Sequence, residues 1–332
     1  ASFVPQYRDL QTKFFVGEKE TDALEALAKS GSKLLRLRVW LNPKDGYCSV
    51  ERTLSLARDG KKLGMHLLID FHYADDWADP QKQPTPAAWT DLDLAGLSKA
   101  VHEHTKDTLN KLVAQGTPAD SVQVGNEIRN GILWPLGKRS GTDLNNLSVL
   151  LKAGVSGVRA SRGGAKIKVM IHHDQGGMAK ECDFFYTELR RLGVTFDWIG
   201  LSYYPWWHGT LKELEANMNG LATKFKRPVM IVETAYPFTL GWKDQVGNFV
   251  GLENQLVPGY PASISGQAKF LGELNRLVRA VPNGRGLGVV YWAPEYVAQP
   301  GIGTPCENLC LFDFDNQLLP GAKVLGETAG KL

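Results

Sequence analysis

Two glutamates each end a short apolar segment of the chain. Glu127 closes the run SVQVGNE, and Glu233 closes the run PVMIVE. An ionisable side chain at the end of a buried strand is costly unless it is paired or used in chemistry. Two facing carboxyl groups are what cleavage of a glycosidic bond requires, because one protonates the leaving oxygen while the other attacks the anomeric carbon or activates water. A salt bridge to Arg36 or Arg38 accounts for either glutamate alone, but less readily for both.

Metal-dependent hydrolysis is the competing chemistry. A metal-dependent amidohydrolase needs a His-x-His pair early in the chain and further histidines on later strands. Here His66 and His72 lie at opposite ends of one segment, and the adjacent His172 and His173 must point to opposite faces of a strand. We therefore predict no catalytic metal and no cofactor.

The elements that must position these residues alternate along the chain. Short apolar runs rich in β-branched residues, typical of strands buried on both faces of a parallel sheet, are separated by amphipathic segments. The predicted strands are 34–40, 66–72, 121–126, 167–172, 197–203, 228–233 and 287–292. The predicted helices are 20–30, 51–63, 94–115, 144–160, 181–192, 211–225 and 265–280.

An eighth strand is predicted at residues 2–5. Eight strand–helix units predict an α/β fold of the (β/α)8 TIM barrel type, formed as a single catalytic domain over residues 1–332. An open doubly wound sheet is the alternative, but no Gly-rich phosphate-binding turn follows the first strand. Barrel enzymes carry their catalytic groups at the C-terminal ends of the strands, which is where both glutamates fall. The irregular stretch 234–264 is predicted to shape a groove at this face or to stabilise a crossover.

Composition excludes some classes of protein. The net charge of +3 is spread over mixed charges and gives no basic field for nucleic acid. No stretch approaches the ~20 apolar residues of a membrane span. Nine tryptophans, several in loop motifs, suit stacking on the flat faces of sugars. A start at Ala1 without Met fits a processed secreted protein, and equally a trimmed one.

Four cysteines are too few for a disulfide framework in a chain of this length. Cys306 and Cys310 are close enough to pair if their loop curls back, whereas nothing in the sequence brings Cys48 and Cys182 together. One or two disulfides, or none, are compatible with the sequence.

Six stretches of the chain form a recognisable set: RLRVWLNP, IDFHYADDWADP, VQVGNEIRNGILWP, SYYP, VMIVETAYP and GLGVVYWAPE. Together they resemble glycoside hydrolase family 53, the endo-β-1,4-galactanases, from about residue 3 to residue 305. The GNEIRNGILWP and DFHYADDWADP stretches are long and specific. Asn-Glu alone indicates only the wider clan of retaining barrel hydrolases.

The resemblance implies roles for individual residues. Glu127 matches the acid/base, Glu233 matches the nucleophile, and Asn126 matches the residue that bonds the sugar 2-hydroxyl. Arg38 matches the arginine that keeps the nucleophile ionised. Other positions that are implied to line the groove are His72, Asp174, Tyr203 and Trp292, while Trp77 and Trp134 lie in family-like loop motifs and are groove-lining or structural.

The implied activity is that of an endo-acting, retaining arabinogalactan endo-β-1,4-galactanase. Its substrates are β-1,4-galactan side chains of pectin or galacto-oligosaccharides, and the protein is expected to be a secreted monomer. Retention predicts carboxyl groups about 5–5.5 Å apart. A mannanase or xylanase of the same clan is the nearest alternative, and a non-catalytic polysaccharide-binding protein is another.

The chain departs from the family at two places. Family members usually carry Gly-Ala-Asp just before the residues that match ASFVPQ. Some bacterial members bind Ca²⁺ in the loop that here reads LGWKDQVGN, in which Asp244 and Asn248 remain candidate oxygen ligands but Trp242 and Val246 stand at positions where ligands are expected. Since Ca²⁺ takes six to eight oxygens, we predict that the site is degraded or absent, and a site completed by backbone carbonyls is the alternative.

Overall fold

The computed structural model describes residues 2–327, and its first segment differs from the prediction. Residues 2–5 are not a strand: helix α1 (Val4–Asp9) begins there. Pro5 lies in the first turn of α1, where its missing N–H costs no helical hydrogen bond. A hairpin of β1 (Phe14–Val16) and β2 (Lys19–Thr21) and helix α2 (Ala23–Lys29) follow.

Seven parallel strands form one sheet, in which each strand is hydrogen-bonded to the next in chain order. They are β3 (Leu34–Val39), β4 (His66–Phe71), β5 (Ser121–Val124), β6 (Lys168–His173), β7 (Trp198–Ser202), β8 (Val229–Glu233) and β9 (Gly286–Val289). All seven strands predicted from apolar runs are confirmed to within a few residues. Side chains on both faces are buried along most of β3 to β8, while β9 is half-buried.

A helix follows each of these strands, and all but the last return the chain to the start of the next strand. The helices are α3 (Val50–Lys62), α4 (Leu94–Ala114), α5 (Asn145–Ala160), α6 (Ala179–Arg191), α8 (Leu211–Phe225), α9 (Ile264–Arg279) and α10 (Pro320–Glu327), with the single turn α7 (Pro205–His208) before α8. Several begin at the capping residues that the sequence offers. Thr210, for example, forms a reciprocal capping box with Glu213 at the start of α8.

The sheet curls until its first strand faces its sixth. The guanidinium of Arg36 on β3 lies 2.9 Å from the carboxylate of Glu233 at the end of β8. Inside the curled sheet, ahead of the strand ends, apolar side chains pack together: Leu68, Met170, Met230 and Val232. This arrangement confirms the predicted (β/α)8 barrel class, with seven strands hydrogen-bonded in the described part of the chain.

The long connection 234–263 between β8 and α9 contains the 3₁₀ turn Glu253–Gln255 and exposes Trp242 and Phe249. All four cysteines are buried free thiols, so Cys306 and Cys310 do not form the pair that the sequence allowed. Within residues 2–327 no helix is both long and apolar enough to cross a bilayer.

Candidate active site

Glu127 lies in a tight turn directly after β5. Gly125 has a φ of 86°, and a side chain there would place its Cβ 2.6 Å from Ile128 Cγ2. Glu127 itself is left-handed, with φ 50° and ψ 53°. Such a conformation costs a non-glycine residue on the order of 1 kcal/mol and is typically found where function requires it. Here the turn places the carboxyl group against Ser202, at the end of β7.

The two glutamates meet across the mouth of the barrel. A carboxylate oxygen of Glu127, one of Glu233 and a ring nitrogen of His172 all lie within 4.8 Å of one another. Retaining glycosidases hold their carboxyl groups about 5–5.5 Å apart, whereas inverting ones leave about 6.5–9.5 Å for a water molecule. The close pair agrees with the separation predicted for a retaining mechanism.

The same three side chains are the place where potential metal ligands converge within residues 2–327. Both nitrogens of His172 are already bonded, however. Nδ1 lies 3.2 Å from the backbone nitrogen of Glu127, and Nε2 lies 2.8 Å from the hydroxyl of Ser202. A metal ion would have to displace these bonds, so the geometry favours a carboxyl pair supported by a neutral histidine.

Glu233 is held by two donors. Arg36 Nη1 lies 2.9 Å from Oε1, and the hydroxyl of Tyr204 donates to Oε2 at 3.1 Å. The other side of the Arg36 guanidinium lies 2.9 Å from Asp70, which fixes its orientation. Burial and the charge of Asp70 raise the pKa of Glu233 above its ordinary value, and Arg36 and Tyr204 limit this rise by stabilising its carboxylate.

Glu127 is bonded to a hydroxyl group rather than to a cation, since Ser202 Oγ donates to its Oε1 at 2.6 Å. Burial, followed by the negative charges of Glu233 and Asp174, raises the pKa of Glu127 well above its ordinary value. Glu233 therefore loses its proton at a lower pH than Glu127 does. The site thus presents one carboxylate and one carboxylic acid to the same space, which is the requirement for acid-assisted displacement.

Arg36, and not Arg38, contacts Glu233, so the role implied for Arg38 is wrong. The Arg38 guanidinium lies over the ring of Trp77, 3.9 Å from its centroid, and 4.9 Å from the ring of Trp40. Both arginines face inward because they are two residues apart on β3. Arg36 is one step further from the strand end and reaches across the barrel, whereas Arg38 extends into the aromatic side chains of the loops.

Tyr204 faces the site, and the prediction that Tyr203 lines the groove is wrong. Tyr203 is fully buried, and its hydroxyl donates to the carbonyl of Gly209 at 3.0 Å. Neighbouring residues in an extended chain point to opposite sides, so only one of the two tyrosines can reach Glu233. Counting by two from Ser202, which contacts Glu127, would have selected Tyr204.

Asn126 and His72 are both bonded within the protein. Asn126 Oδ1 accepts from Arg36 at 2.7 Å, and its Nδ2 donates to the carbonyl of Ala78 at 2.9 Å, which leaves one amide N–H for a ligand hydroxyl. His72 Nε2 lies 3.1 Å from Asp70, and Nδ1 accepts from the backbone nitrogen of Ala78 at 3.3 Å. A substrate hydrogen bond to His72 would have to replace one of these.

The remaining predicted groove residues fall on two sides of the site. Asp174 is buried with both carboxylate oxygens 3.1 Å from Arg129 Nε, and its charge is felt by Glu127. Trp77 and Trp292 are half-buried, with ring centroids 6.2 Å apart. Their partly exposed rings suit contact with a sugar face.

An aromatic surface that the sequence analysis missed adjoins Glu233. Trp207 on α7 is 52% exposed, and its ring centroid lies 5.6 Å from that of Tyr204. On its other side, the ring of Phe249 from the 234–263 connection lies 5.5 Å away. The tryptophan pair in SYYPWW, directly after a strand end, was the available signal.

The candidate Ca²⁺ ligands Asp244 and Asn248 differ in how far hydrogen bonds within the protein satisfy them. Asp244 Oδ2 accepts from the backbone nitrogen of Thr304 at 2.8 Å, and Oδ1 accepts from that of Val246 at 2.6 Å. Asn248 Nδ2 donates to the carbonyl of Gly241 at 3.3 Å, whereas its Oδ1, the atom that would bind a cation, is buried without a hydrogen-bond partner among the described residues. The expectation that this loop lacks a Ca²⁺ site stays a prediction.

Comparisons with known proteins agree with one another. The profile of Glycosyl hydrolase family 53 matches residues 2–325. A Niallia circulans protein described as "Uncharacterized protein in bgaB 5'region" is 42% identical over 320 residues, 93% of this chain and 87% of that protein. Arabinogalactan endo-beta-1,4-galactanase A of Aspergillus niger is 34% identical over 303 residues, 89% of this chain and 84% of the relative. The solved Ignisphaera aggregans GH53 catalytic domain, 35% identical, superposes with a TM-score of 0.92 over 98% of this chain and 94% of that chain.

Proposed function

We propose, since this chain belongs to glycosyl hydrolase family 53, that it is a retaining endo-β-1,4-galactanase that cleaves the β-1,4-galactan of type I arabinogalactan. The observation that carries the mechanism is the close carboxyl pair, in which Arg36 and Tyr204 stabilise the carboxylate of Glu233 while burial keeps Glu127 protonated.

In the first step Glu233 attacks the anomeric carbon of the galactosyl unit. A bond forms between this carbon and the glutamate oxygen, while the glycosidic C–O bond breaks and the leaving oxygen takes the proton of Glu127. Burial and the charge of Glu233 raise the pKa of Tyr204 well above its ordinary value, so its hydroxyl remains a neutral donor to Glu233. The product of this step is a galactosyl–enzyme ester.

In the second step water replaces Glu233 at the anomeric carbon. Glu127, now a carboxylate, accepts the proton of the attacking water, and the ester bond breaks to release Glu233 as a carboxylate. Esterification removes the negative charge of Glu233, which lowers the pKa of Glu127 at the moment when it must act as a base. Two inversions restore the original anomeric configuration, and neither step calls for a cofactor.

The setting of this reaction is proposed on chemical grounds. The galactan is a side chain of pectin, and a polymer of that size is degraded outside the cell, so the protein is secreted. It acts as a monomer with a single catalytic domain. Asn126, Asp174, Trp77 and Trp292 contact the bound sugar chain. The partly exposed tryptophans beside the carboxyl pair support this binding mode.

A polysaccharide screen tests the substrate. Reducing-sugar release is measured on linear β-1,4-galactan, mannan, xylan and β-glucan. We expect galacto-oligosaccharides of several lengths from galactan and little release from the others. Cleavage of mannan or xylan instead would leave the mechanism intact and refute the substrate, and binding of galactan without any turnover would identify a non-catalytic binding protein.

A further inference from the structure

A closed ring of hydrogen bonds links the backbone of Glu127 to its own carboxyl group. The backbone nitrogen of Glu127 lies 3.2 Å from Nδ1 of His172, and His172 Nε2 lies 2.8 Å from Ser202 Oγ. The Ser202 hydroxyl lies 2.6 Å from Oε1 of Glu127. His172 on β6 and Ser202 on β7 are both fully buried, so the ring joins the ends of three neighbouring strands.

The donors around His172 determine the direction of this ring. Nδ1 faces two N–H groups, the backbone of Glu127 and Nε2 of Gln123 at 3.0 Å. Asn126 Oδ1 also lies 3.2 Å from Nδ1, but it accepts from Arg36, and the backbone N–H of Glu127 can only donate. The Gln123 amide is itself fixed, because its Nε2 also donates to Asp70 at 2.6 Å and its Oε1 accepts from Arg36 at 3.1 Å. Nδ1 must therefore supply the lone pair, which places the proton of a neutral imidazole on Nε2.

The proton on Nε2 then points at Ser202. Burial and the charge of Arg36 lower the pKa of His172 well below its ordinary value, so the imidazole carries one proton only. The Ser202 oxygen accepts this N–H and has one hydrogen of its own to give. Its partner at 2.6 Å is Oε1 of Glu127, so the hydroxyl donates there.

We propose that His172 and Ser202 form a directional relay that stabilises the carboxylate form of Glu127 and confines its acidic proton to Oε2. The proposal rests on the proposed function, in which Glu127 is the acid and then the base. When Glu127 is protonated, Oε1 still accepts from Ser202, so the proton occupies the oxygen left for the substrate. When Glu127 is a carboxylate, the Ser202 bond becomes charge-assisted and stronger. His172 and Ser202 are positioning residues that act through Glu127.

Other charged or titratable groups also face Glu127. They are the carboxylates of Glu233 and Asp174, which raise its pKa, the guanidinium of Arg36, which lowers it, and the neutral hydroxyl of Tyr204. None of these side chains is changed by substituting Ser202. A shift in the titration of Glu127 in such a variant therefore reports on the relay.

The alkaline limb of kcat/KM on galactan tests the relay, because it follows loss of the Glu127 proton. Ser202→Ala removes the donor to the carboxylate, so the pKa of Glu127 rises and the limb moves to higher pH, by about one unit for one hydrogen bond to a charged group. Ser202→Thr keeps the hydroxyl and is expected to keep the wild-type limb. His172→Ala shifts the limb in the same direction, and the double variant shifts it no further than Ser202→Ala.

His173→Ala is the matched control. His173 is the next residue on β6 and equally buried, but its Nδ1 accepts from the backbone nitrogen of Gln175 at 3.1 Å on the other face of the strand. Its loss is expected to lower stability without moving the alkaline limb. An unchanged or downward-shifted limb in Ser202→Ala overturns the proposal, and a shift there with none in His172→Ala removes His172 from it.

A titration without substrate separates this proposal from the proposed function. The Glu127 carboxyl carbon is followed by ¹³C NMR in protein labelled at glutamate, with Glu127→Gln providing the assignment. If the wild type is inert on galactan but Ser202→Ala raises the pKa of the Glu127 carboxyl group, the substrate proposal fails and the relay stands. If galactan is cleaved and the titration of Glu127 is the same in both proteins, the relay fails alone.

Discussion

Arg36 lies between two buried carboxylates, 2.9 Å from Asp70 and 2.9 Å from Glu233. Although burial opposes ionisation, Arg36 and His72 lower the pKa of Asp70 to about 2, so Asp70 is charged at any working pH. Burial and the charge of Asp70 raise the pKa of Glu233, and Arg36 limits this rise. Arg36 therefore supports both the structure of the site and the ionisation of Glu233.

Replacing Arg36 by Met is expected to shift the acid limb of kcat/KM to higher pH. Without the guanidinium the pKa of Glu233 rises, so a higher pH is needed to form its carboxylate. Two buried carboxylates also lose their partner, which costs about 3–5 kcal/mol of unfolding free energy. Urea unfolding and a pH–rate profile measure the two effects. Arg38→Met, two residues along β3, is the control, and an equal shift of the acid limb in both variants would contradict the role of Arg36.

Glu127→Gln is expected to raise the melting temperature at neutral pH by a few degrees while abolishing activity. Burial keeps the glutamic acid protonated in the fold, whereas the unfolded chain ionises above its ordinary pKa of 4.5. The wild type therefore loses stability as pH rises above that value, and glutamine, which does not ionise, avoids the loss. Calorimetry at pH 4 and pH 7 should show the gain at pH 7 only. A variant less stable than wild type at pH 7 would refute this.

At the scale of the elements, the ends of β4 and β7 each offer two inward positions separated by one residue. Asp70 and His72, and likewise Ser202 and Tyr204, follow this period of two, whereas a register shift interrupts it beside Glu233 on β8. The sequence could therefore have assigned the inward side chains at the ends of β4 and β7 once the strands were placed. It could not decide between Arg36 and Arg38, since both face inward and only the distance across the closed barrel distinguishes them.

The turn α7 and the 234–263 connection together present the aromatic pair of Trp207 and Phe249 beside Tyr204. Trp207→Ala is expected to lower kcat/KM on galactan roughly tenfold, because a sugar unit loses a stacking surface worth about 1.4 kcal/mol. Trp242→Ala is a matched control, since Trp242 is also exposed, at 55%, and lies in the 234–263 connection rather than on α7. Equal losses in both variants, or none for Trp207→Ala, would remove Trp207 from the substrate path.

The same connection predicts the response to a chelator. Asp244 accepts backbone N–H groups of Thr304 and Val246, and Glu307 accepts those of Lys243 and Asp244, so hydrogen bonds to the 304–307 segment hold the loop closed. We expect EDTA to leave the melting temperature unchanged. A fall of several degrees that added Ca²⁺ reverses would show that these carboxylates bind the ion instead.

At the scale of the whole molecule, the barrel was predictable because its strands are continuous apolar runs between amphipathic helices. The contacts that close the barrel between β3 and β9 were not predictable. There Ser2 Oγ accepts from the backbone nitrogen of Arg38 at 3.1 Å, and the backbone nitrogen of Phe3 donates to Glu295 at 3.1 Å. These contacts join distant parts of the chain through single side chains, and such long-range pairs leave no periodic pattern in a sequence.

Both glutamates were predictable for a related reason, since each interrupts an apolar run at the end of a strand. Their different environments were not, because these depend on side chains from other strands. Arg36 from β3 and Tyr204 from beyond β7 converge on Glu233, while Ser202 and His172 converge on Glu127. Only closure of the barrel brings these groups together and gives two glutamates different surroundings and therefore different roles.

The assignment of Glu127 as acid/base and Glu233 as nucleophile is tested most directly by the products of azide rescue. Glu127→Ala and Glu233→Ala are each supplied with sodium azide and an aryl β-1,4-galactobioside that has a good leaving group, and the glycosyl azide is identified by NMR. Glu127→Ala should give the β-azide, because azide attacks the ester formed on Glu233, and Glu233→Ala should give the α-azide by direct displacement. The opposite assignment, or one configuration from both variants, would contradict the roles given to the two glutamates.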